Sequence, residues 1–185
     1  MAFEKYLNKF QKVADQLDKK LLDKKQIEVA VGVVFNSAFL KMYKRSWANQ
    51  NEDLLTSPSR IFFSVWINDR TISEQKIFYN IHALKLRQLR GYSIESRKFA
   101  DRFRASFKKF QYSWENVSVK FRPLTLMEGW KKFSAEKLES IIVSLAKNFS
   151  EIDYLIDETL KTFETDKTLF PTRSVGINTK HPKQQ

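Results

Sequence analysis

Two histidines, no cysteine and a dense run of lysine and arginine are what this chain offers for chemistry. The run holds Lys85, Arg87, Arg90, Arg97, Lys98, Arg102, Arg104, Lys108 and Lys109, with only Glu95 and Asp101 as acids among them. From Arg60 to Lys132 there are 16 Lys or Arg against 6 Asp or Glu, a net +10 out of +12 for the whole chain. A concentrated positive field implies an anionic partner. Neutralising phosphates takes several such side chains on one surface, so DNA or RNA is the first candidate, with about six phosphate contacts available. Phe99, Phe103, Phe107 and Phe110 are interleaved with the charges and could stack on bases. Their spacing, however, draws one apolar stripe on a helix, which makes them core, and the long basic stems would then cover its rim. A helix-turn-helix centred on Gly91 fails, because Arg87 stands where a small residue is wanted and Arg97 where an apolar one is.

His82 is the second place to look for chemistry, since histidine is the usual proton carrier near neutral pH. On a strand it shares a face with Asn80, and with Arg122 nearby these three residues would line a small-molecule pocket. The plainer reading is a hydrogen-bonded histidine beside the core. His181 lies next to Pro182 in an irregular tail. The stretches Tyr79–Ser93 and Val117–Trp130 mix apolar and polar residues away from helix surfaces, which marks them as places to seek a site.

Other chemistries find no footing. The chain has no cysteine, no HExxH and no Asp-rich calcium loop, so no metal site is expected and no cofactor is implied. With 4 glycines in all, no phosphate-cradling loop of the GxxxxGK or GxGxxG kind can form. A nucleotide-hydrolysing enzyme is not expected, and the chain reads as a non-enzymatic binding protein.

The elements that must position these residues follow from periodicity. Phe3, Tyr6, Leu7, Phe10, Val13, Ala14, Leu17, Leu21 and Leu22 predict an opening helix of about 24 residues. Ile27 to Phe35 alternates as a strand. Asn36 is a candidate cap for a helix placing Phe39, Leu40, Tyr43 and Trp47 on one side. A loop covers 48–59, a strand Ile61–Ile67, and a turn Asn68–Arg70. Gln75 to Leu86 reads as a strand hairpinned with Ile61–Ile67, the alternative being one helix over Thr71–Arg90. A helix runs from Ser93 or Ser96 to Phe110, and a half-buried strand over Val117, Val119 and Phe121 stops at Pro123. Ser134 opens the longest helix. Leu138, Ile142, Leu145, Phe149, Ile152, Ile156, Leu160 and Phe163 form its near-heptad seam.

That order predicts an α+β class: a single domain over 1–170 with an antiparallel or mixed sheet and long terminal helices packed on it, then an irregular tail over 171–185. A mostly helical bundle is the alternative. The C-terminal seam either packs on the sheet or joins another subunit, in which case Leu145, Phe149, Ile152 and Ile156 are the central contacts of a homo-oligomer. Residues 133–170 carry net −4, so this helix could also meet the basic helix of a neighbouring copy. No leader-like segment and no run of about 18 uncharged apolar residues is present, so the expected location is cytoplasmic, without membrane insertion.

Overall fold

The computed structural model describes residues 2–165. The expected tail 171–185, and the end of the predicted domain at 166–170, lie outside the described residues. The chain is α+β: five strands form one antiparallel meander in the order of the sequence, with helices packed on one of its faces. The strands are β1 (Ile27–Val34), β2 (Ser37–Lys44), β3 (Arg60–Asn68), β4 (Lys76–Leu84) and β5 (Thr125–Lys132). The helices are α1 (Glu4–Gln16), α2 (Lys19–Lys25), the single turn α3 (Asp69–Ser73), α4 (Ser96–Phe107), α5 (Leu138–Ile152) and α6 (Tyr154–Lys161). The helical bundle is therefore excluded.

The sequence expectation errs most at β2, where a helix was predicted. Phe35 and Asn36 are both left-handed, with φ of 46° and 56°, the pair of conformations a two-residue type I′ turn needs. They fold β1 onto β2 as a hairpin. Buried Ala38, Leu40 and Met42 point to the helices, and buried Phe39, Lys41 and Tyr43 to the other side. A strand buried on both faces shows no apolar–polar alternation, so its spacing imitated a helix.

β3 and β4 pair antiparallel, as expected, from Arg60↔Leu84 to Trp66↔Phe78. The turn expected at Asn68 is the start of α3, where the Asn68 side chain accepts from the Thr71 amide and the Thr71 hydroxyl accepts from the Asn68 amide, both at 2.9 Å. The strand predicted over Val117–Phe121 is reduced to one bridge, Ser118 to Glu128. The strand paired with β4 on its other side is β5, in which Gly129 lies opposite Tyr79, where a Cβ would overlap the tyrosine ring and hydroxyl.

Both long terminal helices are interrupted. After Leu17, Asp18 caps a fresh start by accepting from the Leu21 amide at 3.1 Å. At the other end α5 stops at Ile152 and α6 resumes at Tyr154, with Asp153 between them. Asp153, 1% exposed, pairs with Lys25 at 2.8 Å and Lys44 at 2.7 Å. Asp157 binds Lys44 at 2.6 Å and accepts from the Trp47 indole at 2.7 Å. These carboxylates tie α5 and α6 to β2. The apolar seam faces the same way: Leu145, Phe149, Ile152 and Ile156 are at most 1% exposed, and Phe149 stacks on Phe63 at 4.6 Å between centroids. Of the two roles open to the seam, it therefore takes the intramolecular one, and no oligomer contact is left for those four side chains to make. Among the described residues no helix is long and apolar enough to cross a membrane.

Candidate anion-binding surfaces

The basic run begins where β4 ends. Lys85 takes a left-handed turn (φ 44°), a short 3-10 turn follows over Leu86–Gln88, and Gly91 reverses the chain again at φ 86°. Buried Leu86 and Leu89 hold this loop down. Asn49 clamps it from the side, donating to the Gln88 carbonyl at 3.2 Å and accepting from the Arg90 amide at 2.9 Å. The alternation leaves Lys85, Arg87 and Arg90 exposed. A cleft of about 1080 Å³ opens beside Arg90, with Arg45 and Tyr92 on its walls together with Glu52 and Glu164.

α4 carries the second half. Phe99, Ala100, Phe103 and Phe107 are fully buried and Phe110 partly so, which confirms the stripe as core. Arg97, Lys98, Arg102, Lys108 and Lys109 are exposed on the remaining surface. Arg104 is not one of them. Its side chain is 17% exposed, and its guanidinium donates to the carbonyls of Leu126 (3.1 Å), Phe121 (2.9 Å), Thr125 (2.8 Å) and Arg122 (3.4 Å). It is a staple between α4 and the loop entering β5, and its place among the phosphate contacts is corrected accordingly. Lys98 pairs with Glu95 at 2.7 Å. The other seven, Lys85, Arg87, Arg90, Arg97, Arg102, Lys108 and Lys109, make no ion pair among the described residues.

Two of the three expected pocket residues, Asn80 and His82, lie on the sheet face that the helices leave uncovered. Register aligns three rows across it. The first row is Gly32, Phe39, Trp66, Phe78 and Trp130; the second is Ala30, Lys41, Ser64, Asn80 and Glu128; the third brings Phe62, His82 and Thr125 together. Asn80 and His82 do share this face. Asn80 bridges its row, accepting from Ser64 Oγ at 2.6 Å and donating to Glu128 Oε2 at 3.3 Å. His82 Nδ1 lies 3.3 Å from the Leu124 carbonyl and 3.1 Å from Thr125 Oγ1. A proton on Nδ1 satisfies that carbonyl and leaves Nε2 for something else. Arg122 is exposed on the loop before β5, and its side chain makes no hydrogen bond or ion pair with Asn80 or His82, so the expected triad is a pair.

Sequence reasoning missed the residue beside that pair. Lys41 is 8% exposed and has no hydrogen bond or ion pair among the described residues. Its Nζ sits 4.4 Å from the centroid of Phe39 and 4.7 Å from that of Phe62. Burial, and the Arg60 charge behind it, hold its pKa below the ordinary lysine value. The signal was a lone charge inside the apolar run Phe39-Leu40-Lys41-Met42-Tyr43, lost once that run was read as a helix. Among the described residues no three His, Asp or Glu side chains gather as a metal site. Comparison of the chain with protein-family models, curated proteins and solved structures gives no match.

Proposed function

We propose that this protein binds a polyanion, nucleic acid before any other, through the surface carried by the Lys85–Gly91 loop and α4. The observation that carries the reading is the set of seven exposed cations with no carboxylate partner among the described residues. A merely solvated helix face commonly laces its charges into pairs three or four residues apart; here, among the described residues, only Lys98 and the inward-turned Arg104 are held in such a pair. Three of the C-terminal acidic residues that could answer the ridge from a second copy are engaged elsewhere. Asp153 and Asp157 bind Lys25, Lys44 and Trp47, and Glu139 binds Lys9 and Lys12. Glu136, Glu151 and Glu158 stay exposed in the same region.

The test is binding of labelled single- and double-stranded DNA and RNA at 50 and 200 mM salt, where six phosphate contacts predict an affinity loss of about a thousandfold. Reversing Arg87, Arg97 and Arg102 to Glu should abolish binding without unfolding the chain, since all three are exposed. Absence of binding at the lower salt, or affinity indifferent to salt, overturns the proposal.

A further inference from the structure

Two cationic side chains and a histidine surround a single ring on the uncovered sheet face. Lys41 Nζ lies 4.7 Å from the Phe62 centroid, Arg60 Cζ 5.4 Å, and the His82 ring centroid 5.5 Å. Among the described residues none of the three has a carboxylate in contact. Lys41 has no acceptor at all among the described residues. Arg60 Nη1 donates to the Ser57 carbonyl, but its Nε is buried with no partner. His82 uses only Nδ1. Asp53 attracts Arg60 from a distance, and Glu128, farther along the next row, is occupied by Asn80.

A buried guanidinium nitrogen without an acceptor is costly unless something supplies the missing oxygen, and the Lys41 ammonium beside it also has none among the described residues. Aromatic contact compensates Lys41 in part, since cation–π attraction strengthens on desolvation. It gives Arg60 Nε nothing to donate to. Lys41 and Arg60 together carry two positive charges, so a carboxylate would leave one unanswered while a phosphate dianion answers both. Phosphate also offers three terminal oxygens, enough to accept from Lys41 Nζ, from Arg60 Nε and, once the ligand's charge draws a second proton onto the ring, from His82 Nε2. The rings of Phe39 and Phe62 form the wall on which the organic part of such a ligand would lie.

We propose that the uncovered face of the sheet holds a binding site for a small phosphate monoester, with Lys41, Arg60 and His82 as the donors to its phosphate oxygens and Phe39 and Phe62 as its apolar wall. The site is separate from the ridge of α4 and does not depend on the nucleic-acid reading. The depressed proton affinities of Lys41 and His82, caused first by burial and then by their mutual repulsion with Arg60, agree with a cluster awaiting an anion.

The experiment is calorimetric titration of the full chain with phenyl phosphate, with benzoate and phenyl sulfate at matched ionic strength as comparators, to about 10 mM so that even a millimolar site saturates. Phenyl phosphate should bind saturably with one equivalent, and Lys41→Met should weaken it by about tenfold or more. Arg87→Glu and Arg97→Glu, on the ridge, should leave it unchanged. A wild-type measurement guards against a variant that fails to fold. The chain has 2 histidines, so the His82 ring resonance is readily assigned by NMR. It should move saturably with phenyl phosphate and stay still with chloride. No heat and no His82 shift, equal affinity for benzoate, or loss of binding in the ridge variants overturns the proposal.

Discussion

Lys41 and Lys44 stand three residues apart on β2 and face opposite sides of the sheet. Each is about as buried as the other, at 8% and 7% exposed. Only Lys44 has carboxylates, held at 2.7 Å and 2.6 Å by Asp153 and Asp157. Burial alone would depress its pKa, but the hydrogen bonds to Asp153 and Asp157 outweigh that and leave it raised. A raised folded pKa adds stability that is complete below the ordinary lysine value and disappears as pH climbs through the folded one. Lys44→Met leaves Asp153 with Lys25 alone and Asp157 with only the Trp47 indole, and should cost about 3–5 kcal/mol in urea unfolding at pH 7. The deficit should shrink at strongly alkaline pH, where the wild-type lysine also loses its proton. A cost below about 1 kcal/mol, the size of an exposed pair, would mean that this network does not hold α5 and α6 to the sheet.

The β1–β2 hairpin shows where a local rule was broken. An aromatic residue in the left-handed region is unfavourable by roughly 1–2 kcal/mol. Phe35 sits there at φ 46° and 94% exposed, with no burial to offset it. Phe35→Asn restores the residue such turns prefer and should raise stability by about 0.5–1 kcal/mol, a gain of a few degrees in thermal midpoint. A loss of stability would show that Phe35 packs on something the described residues do not include. The same hairpin explains what was legible. β1, β3, β4 and α4 each bury one side or one run cleanly, and their patterns survive in the sequence. β2 does not, because Ala38, Leu40 and Met42 are covered by helices while Phe39, Lys41 and Tyr43 shelter one another on the far side. Helix breaks at Asp18 and Asp153 were equally hidden. The first rests on a side-chain cap, the second on lysines more than a hundred residues away in sequence. The site fared likewise: Asn80 and His82 were visible as a pair because β4 was read correctly, while Lys41 and Arg60 were not, since their meeting at Phe62 depends on the register of β2, β3 and β4.

At the scale of the molecule, acids and bases are sorted by what they hold together. Asp153, Asp157 and Glu139 join helices to one another and to the sheet, whereas the α4 ridge keeps its charge turned outward. Arg104 is the exception that separates charge from function. It belongs to the basic run by sequence, yet its guanidinium binds four carbonyls of residues 121–126. Lysine at this position keeps the charge but cannot match a fork that reaches several acceptors at once. Arg104→Lys should therefore lower stability by about 2 kcal/mol, the scale of hydrogen bonds to a charged donor, and leave nucleic-acid affinity and its salt slope unchanged in the folded fraction. Arg102→Glu, two residues away and exposed, should do the reverse: little change in urea midpoint, and a slope of log affinity against log salt reduced by about one unit. Measuring both quantities on both variants makes the two effects cross. If Arg104→Lys weakens nucleic-acid binding while the chain stays as stable as before, the guanidinium is a phosphate contact after all, and the division between an inward staple and an outward ridge fails.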